Sequence, residues 1–330
     1  MSRRNRILLA LLLLLGGLAL ALEQPWRGDA FARTRARVQR LFPGLEDQRQ
    51  DIARVEIESA GQRTTLVRGA GGWVVAEKLQ YPADVGRLAS LVDTLAGLDD
   101  RDTVSVNPDK QETYSVDPAA GTRVRLLDAR GLALADLVGG ALRGAAEQAG
   151  TEALLEFYVR RADRDEVVLA PEFRPPPADP ADWIEPRLLP GLQAQRLRWL
   201  QRASPDEHGA WKLAVEAPEG AAGAAERRWR MVAPDSRAAV AHVAEGFAFA
   251  LANLRAQDVA ARLGPAAEPG PEFGFPTDVL KAGVDEGTIE VRLGKPAGEG
   301  RRYAWVPGSA YVVIIGEFAA ERLRVPADQL

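Results

Sequence analysis

The residues best suited to chemistry are few and scattered. Only two histidines occur, His208 in an Asp-Glu-His-Gly turn and His242 between Val240 and Val243 of a helical stretch. A histidine-bound metal or a Ser/His/Asp triad needs side chains that converge. These two stand far apart in unlike surroundings, and His242 reads as a helix-face residue at the edge of a core. Asp99, Asp100 and Asp102 gather after a helix, and Asp163, Asp165 and Glu166 gather in a hairpin. Grouped carboxylates can hold calcium or act as an acid/base pair. Neither group has the glycine or the distal glutamate of a calcium loop, and both read as solvated turns. Gly294-Lys295 lacks the upstream glycine of a phosphate-binding loop, Gly69 to Gly72 lacks dinucleotide spacing, and no Gly-x-Ser-x-Gly occurs. Cysteine is absent, which removes thiolate sites and disulfides. No catalytic, cofactor-binding or metal-binding residue is assigned, no cofactor is expected, and the expected role is non-enzymatic.

Tryptophans are the remaining candidates. Exported aromatics often face sugars, yet Trp73 and Trp211 read as equivalent residues of a repeat, and a repeated large ring points to the core, sealing a helix against a sheet. Trp26 is placed to sit at a membrane interface, whereas Trp183 and Trp199 are less constrained.

The repeat itself is carried by short matches in common order. Gly72-Trp73, Leu95-Ala96-Gly97-Leu98 with Asp102, Gly121-Thr122 and Tyr158-Val159 are followed by Ala210-Trp211, Leu251-Ala252-Asn253-Leu254 with Asp258, Gly287-Thr288 and Tyr311-Val312. A unit written twice sets the architecture before any strand is assigned.

Address is read from the N-terminus. Arg3, Arg4 and Arg6 precede an uncharged apolar run from Ile7 to Leu22, the pattern of a secretory signal or signal anchor. The run is somewhat short of the ~20 residues that span a bilayer comfortably, and Ala19-Leu20-Ala21 fits a cleavage site, so cleavage stays open. Arg27, Arg33, Arg35, Arg37 and Arg40 follow the run, and a count of basic residues alone opposes an N-in orientation. N-in is still expected, because a short tail ahead of an apolar run enters the export machinery as a signal sequence does. Without the first three arginines the formal charge of −4 becomes about −7, a mildly acidic surface that excludes nucleic acid as a partner. The later arginines read as a solvated juxtamembrane face.

Periodicity supplies the elements. Val55 to Glu58, Thr64 to Arg68 and Trp73 to Val75 form a meander, and a helix starting at Tyr81-Pro82-Ala83-Asp84 places Leu88, Leu91, Val92, Leu95 and Leu98 on one face. Hairpins follow at Thr122 to Val138 and Leu155 to Leu169. The second unit has strands near Leu197 to Gln201, Trp211 to Val215 and Arg227 to Val232, then a helix from Pro234-Asp235-Ser236 bearing Val240, Val243, Phe247, Leu251 and Leu254. Late strands are expected at Thr288 to Leu293, Tyr303 to Val306 and Tyr311 to Ile315, with an edge helix or tail from Phe318 to Leu330. Gly97 and Asn253 are the expected left-handed helix stops. The fold class is α+β, two tandem related units, each a mainly antiparallel sheet with a helix packed across one face. The divisions are a cytoplasmic tail 1–6, a signal anchor or transmembrane segment 7–22, a juxtamembrane helix and linker 23–50 that Pro43-Gly44 ends, a first unit 51–173, a Pro-rich linker 174–191 and a second unit 192–330.

These residues resemble the bacterial domain of unknown function family 4340. The resemblance rests on the N-terminal apolar segment, Gly-Trp-Val-Val at Gly72 to Val75, Tyr-Pro-Ala-Asp at Tyr81 to Asp84, and the junction Asp182-Trp183-Ile184-Glu185-Pro186-Arg187-Leu188-Leu189, which is similar to the family's Trp-to-Arg-x-Leu linker. Tyr114-Ser115-Val116 stands where the family often has Tyr-Gly-Leu, so the glycine is missing here. The second unit matches more weakly. The resemblance implies an exported protein tethered to the bacterial inner membrane with its bulk in the periplasm. It also implies an accessory or binding role at an ABC-transporter-type complex, since relatives are often encoded beside gliding-motility-type ABC transporter components. An envelope glycan-binding module or hydrolase, and a structural spacer, are the alternatives. The expected partners are the inner membrane and a membrane protein, while a small-molecule ligand stays unknown.

Overall fold

The computed structural model describes residues 38–144, 155–171, 173–204, 209–216, 227–285 and 287–330. The apolar run 7–22, Trp26, the arginines from Arg27 to Arg37 and His208 lie outside them. Among the described residues, no helix is long and apolar enough to cross a membrane.

The first half contains β1 (Ile52–Ser59), β2 (Gln62–Gly69), β3 (Gly72–Val75), β4 (Tyr81–Pro82), helix α1 (Val85–Gly97), β5 (Thr103–Ser105), β6 (Thr122–Asp128), β7 (Ala133–Leu142), β8 (Glu156–Arg161) and β9 (Val167–Pro171). Its antiparallel sheet has nine strands in the order β4-β3-β2-β1-β6-β7-β8-β9-β5. Alternation explains the inner strands: Val55 lies between Leu66 and Leu126, and Ile57 between Thr64 and Val124. All six are fully buried, because every second side chain of a strand points to the same face. Between β4 and β5 the chain passes from one edge of the sheet to the other, and α1 lies in that stretch. Asp84 caps it, Oδ1 accepting from Arg87 N at 2.9 Å, and Leu88, Leu91, Val92, Leu95 and Ala96 form its buried stripe.

The second half repeats this plan. It contains β10 (Trp199–Ala203), β11 (Trp211–Glu216), β12 (Arg228–Ala233), β13 (Arg237–Ala238), α2 (Ala241–Ala252), β14 (Ala256–Arg262), β15 (Asp278–Val284), β16 (Gly287–Pro296), β17 (Arg301–Trp305), β18 (Tyr311–Gly316) and a short α3 (Glu317–Glu321). The sheet order β13-β12-β11-β10-β15-β16-β17-β18-β14 is that of the first, strand for strand. Ala244, Phe247, Ala248, Leu251 and Ala252 are buried on α2 at the positions of the α1 stripe.

Topology corrects the residue pairing within the repeat. Leu95-Ala96-Gly97-Leu98 does correspond to Leu251-Ala252-Asn253-Leu254, and Asp102 to Asp258. Trp73, however, corresponds to Trp229: Ala83 N donates to Trp73 O at 2.8 Å and Ala239 N to Trp229 O at 2.9 Å. Trp211 instead occupies the place of Thr64, each donating its side-chain hydrogen to a later stretch of chain, Trp211 Nε1 to Val325 O at 2.9 Å and Thr64 Oγ1 to Ala178 O at 2.8 Å. Thr288 lies in β16, the counterpart of β7, and Tyr311 in β18, the counterpart of β9. Neither therefore matches Thr122 of β6 or Tyr158 of β8. A slip of one strand along a meander keeps the apolar alternation intact, which is why short matches do not detect it.

A clearer repeat lies in stretches read as linker. Arg40-Leu41-Phe42-Pro43-Gly44-Leu45 recurs as Arg187-Leu188-Leu189-Pro190-Gly191-Leu192. Both run extended and then turn at glycine, with φ of +88° at Gly44 and +81° at Gly191. Leu41 N donates to Leu98 O at 2.9 Å and Asp100 N to Gln39 O at 3.0 Å; Leu188 N donates to Leu254 O at 3.0 Å and Ala256 N to Pro186 O at 2.6 Å. Gln39 to Leu41 therefore pair like a strand where a helix is expected. Further corrections are local. Tyr81–Pro82 and Arg237–Ala238 are short strands ahead of their helices, neither Gly97 nor Asn253 is left-handed, and β5, β14 and β15 add strands that periodicity does not reveal.

The halves share one core that runs from Leu41 to Leu330. The segment between them is braced on both sides. Asp84 N donates to Trp183 O at 2.8 Å and Glu185 N to Pro82 O at 2.7 Å, while Leu188 and Ala256 make the bonds to the second half given above.

Ser115 occupies left-handed backbone at φ 55°, ψ 32°, and its counterpart Gly274 sits at φ 66°, ψ 35°. The strands beneath are glycine for close approach: a Cβ on Gly140 would lie 2.3 Å from Tyr114 O, and one on Gly294 2.5 Å from Phe273 O. Ser115→Gly is expected to stabilise the protein by roughly 0.5–1 kcal/mol, by removing the left-handed penalty of a side chain. Gly140→Ala should destabilise it by about 1–3 kcal/mol through overpacking. Denaturant unfolding of both variants checks the pair.

Candidate functional site

The two acidic groups turn out to be engaged in turn contacts. Asp99 receives Arg101 Nε at 3.0 Å and Nη2 at 2.8 Å. Partial burial works to raise its pKa, but the hydrogen bonds and charge of Arg101, with Arg40, hold it below the ordinary carboxylate value. Asp100 Oδ1 accepts from Gln39 N at 2.8 Å. Asp163 pairs with Arg161 at 2.6 Å, a hydrogen bond that lowers its pKa, and Asp165 accepts from Gln111 at 3.1 Å. Glu166 and His242 are exposed. Gly69 and Gly72 close the β2–β3 turn, and Gly294 is a packing glycine.

The tryptophans divide by burial. Trp211 is 1% exposed and meets Phe247 edge-on at 4.9 Å, and Trp183 is 1% exposed with Nε1 donating to Pro177 O at 2.9 Å. Both rings are closed to a sugar face. Trp73 is half-buried against the core, and Trp199 is half-buried under Lys212 and over Gly283.

Besides the buried Arg202–Asp278–Arg324 cluster, two places among the described residues gather polar groups where a partner or ligand can reach. The first is the seam between the halves. Tyr81 and Tyr311 meet edge-on at 4.9 Å, Tyr311 Oη donates to Gln80 O at 2.7 Å, and Lys78 pairs with Asp258 at 2.7 Å. The second is an open pocket of about 510 Å³ between the β1–β2 turn, the Pro118 to Gly121 loop and the strands bearing Arg123, Val138 and Arg160. Arg160 is 7% exposed. Its Nε donates to Val116 O at 3.2 Å, and its Nη1 to the carbonyls of Arg161, Ala162 and Arg164 at 3.1, 3.4 and 2.9 Å. Arg123 is held by Asp136 at 2.9 and 2.6 Å, and Arg63 by Glu56 at 2.8 Å. Sequence reading missed Arg160, because one arginine in a strand forms no motif.

The counterpart of Arg160 is Trp305. Val138 stands opposite Arg160 and Arg292 opposite Trp305, each two residues before the paired glycines Gly140 and Gly294. Trp305 is 3% exposed, donates Nε1 to Ser309 O at 3.0 Å and lies 6.5 Å from Phe275. The same scaffold position is thus charged and hollow in one half, and aromatic and filled in the other.

Comparison with known families decides the identity of the scaffold. The family described as domain of unknown function (DUF4340) matches residues 73–273, more than half of the chain. The chain belongs to that family. Searches of the curated proteins and of the solved structures find no match. The DUF4340 match crosses the linker and takes in strands of both sheets, from β3 to β14. In this DUF4340 chain, each residue of Tyr81-Pro82-Ala83-Asp84 has a structural task. Tyr81 packs at the seam, Pro82 O and Asp84 N hold the linker, Ala83 N bonds to Trp73, and the Asp84 carboxylate caps α1.

Burial foremost, then the nearby charge of Glu185 and the presence of Tyr311, raises the Tyr81 pKa from 10.0 to about 12. The neutral phenol is favoured in the folded state. The associated stability is complete below the unfolded value and is lost as pH rises through about 12, amounting to about 3 kcal/mol. Tyr81→Phe should remove this part of the alkaline sensitivity, which denaturant midpoints at about pH 8 and about pH 11 will show.

Proposed function

We propose that this DUF4340 protein is a non-enzymatic accessory or binding subunit, held at the bacterial inner membrane and facing the periplasm, that acts through contacts with an ABC-transporter-type complex. One observation carries the reading. The carboxylates best placed for acid/base work are tied into turns by arginine or backbone partners, and in the charged pocket the lining Glu58 is paired with Arg63 and Arg125 while the Ser59 hydroxyl accepts from Thr122 Oγ1 at 3.0 Å. Such an inventory suits holding and positioning. The N-terminal apolar run supports the membrane address, and the type of complex is what the resemblance to the family implies.

Within this reading, α1 and α2 each cover one face of their sheet, and the five-residue buried stripe on each supports that placement. The units are those of 51–173 and 192–330 joined by 174–191. The first is best extended back to Gln39, because Gln39 to Leu45 take the seat that Pro186 to Leu192 take in the second.

Affinity capture of the full chain, tagged at the C-terminus and extracted from native membranes in mild detergent, tests the proposal. It should recover a transporter-type membrane protein in fixed ratio. Recovery of no stable membrane partner contradicts it.

A further inference from the structure

We infer that the Arg160 pocket is a binding site for a small organic carboxylate. A buried guanidinium costs desolvation energy that is normally returned by a carboxylate partner. Arg160 has four backbone carbonyls and, among the described residues, no ion pair. Carbonyl dipoles hold the group in place and leave its charge uncancelled. Its Nη2 takes none of those carbonyls, and Arg160 lines the pocket.

Geometry then limits the ligand. Ala60, Pro118, Val138 and Ala162 give the pocket an apolar wall suited to a short hydrocarbon body. Glu58 lies on the rim, and Asp117 stands in the adjoining loop, its Oδ1 accepting from Ala119 N and Ala120 N at 2.9 and 3.1 Å and its Oδ2 buried without a partner. Glu58 is paired with Arg63 and Arg125, and Arg63 and Arg123 line the pocket beside it, so the apolar wall and not charge sets the preference. A carboxylate on a short chain fits better than inorganic phosphate because its hydrocarbon body meets that wall.

The duplicated half supplies an independent comparison. Where Trp305 and Phe275 close the equivalent position, Arg160 and Val116 leave it open. A buried charge beside an open volume, in one copy only, is a departure that packing does not require. The inference does not depend on the membrane partner.

The test uses the full chain in detergent, with butyrate as the probe and butylamine and inorganic phosphate as comparators, read by calorimetric titration and thermal unfolding. Butyrate should bind and raise the unfolding temperature, and the two comparators should not. Arg160→Gln should weaken butyrate binding by about tenfold or more, the scale of one charge-assisted hydrogen bond. Because Arg160→Gln can also unfold the loop, Ala119→Trp provides the second variant. It narrows the mouth, leaves the Arg160 carbonyl bonds intact, and should weaken binding with an unchanged unfolding temperature in the absence of butyrate. The inference is overturned by no butyrate binding at millimolar concentration, by equal or stronger binding of phosphate, or by butyrate binding that neither variant alters.

Discussion

The segment from Trp183 to Leu188 hydrogen-bonds to both halves of the protein, and the relation between the two sheets depends on it. Its physical logic lies in the prolines before and within it. Pro175, Pro176, Pro177, Pro180 and Pro186 each fix φ and remove donors that would otherwise need partners, and Pro180 opens the single 3-10 turn Pro180–Trp183. Of the donors that remain, Glu185 N bonds to the first half and Leu188 N to the second. Pro186 has no N–H to satisfy, and its carbonyl receives Ala256 N. Trp183 sits buried between the proline run and α1, with the Arg87 guanidinium 5.0 Å from the ring centre. A composition that reads as a linker and unit boundary is here a preorganised strut.

That strut makes sense of the duplication. Each half is a nine-stranded antiparallel sheet whose chain crosses from edge to edge through one helix, and each is entered by the same extended Arg-Leu-x-Pro-Gly-Leu segment. The strut is the entry segment of the second half, fused to the exit segment of the first. What the copies share is packing: glycines under a loop carbonyl, an aromatic pair at Tyr114–Tyr158 and Phe273–Tyr303, and the helix stripe. What they do not share is polar. Asp84 caps α1, whereas Val240 stands at the equivalent place on α2, and Arg160 gives way to Trp305.

Sequence reading reached the two-unit plan, most strands, the α1 stripe and, on α2, Phe247 and Leu251, because apolar periodicity is a direct image of burial; Val240 is instead exposed and precedes α2, whose other buried positions are alanines. It misplaced Trp211, Thr288 and Tyr311 by one strand, since a meander repeats the same alternation at every strand. It missed β5 because Thr103–Ser105 is a short polar edge strand, paired only with β9. The clearest repeat went unseen because it lay in stretches taken for linker, although Pro-Gly within two matching apolar runs was a visible signal. The missing family glycine at Ser115 was legible, and the structure explains its cost: the residue is held left-handed, and the second half has Gly274 there. Arg160 was not legible, since its interest arises from partners that tertiary structure alone brings together.

The central claim is that the linker joins the two sheets as an integral part of both. Amide hydrogen exchange at Asp84, Glu185, Leu188 and Ala256 tests it most directly, because these four N–H groups are the bonds of the strut. They should exchange as slowly as the amides of β1 and β10, opening only with global unfolding. Exchange at the rate of a free, solvated linker, while β1 and β10 stay protected, would contradict the account.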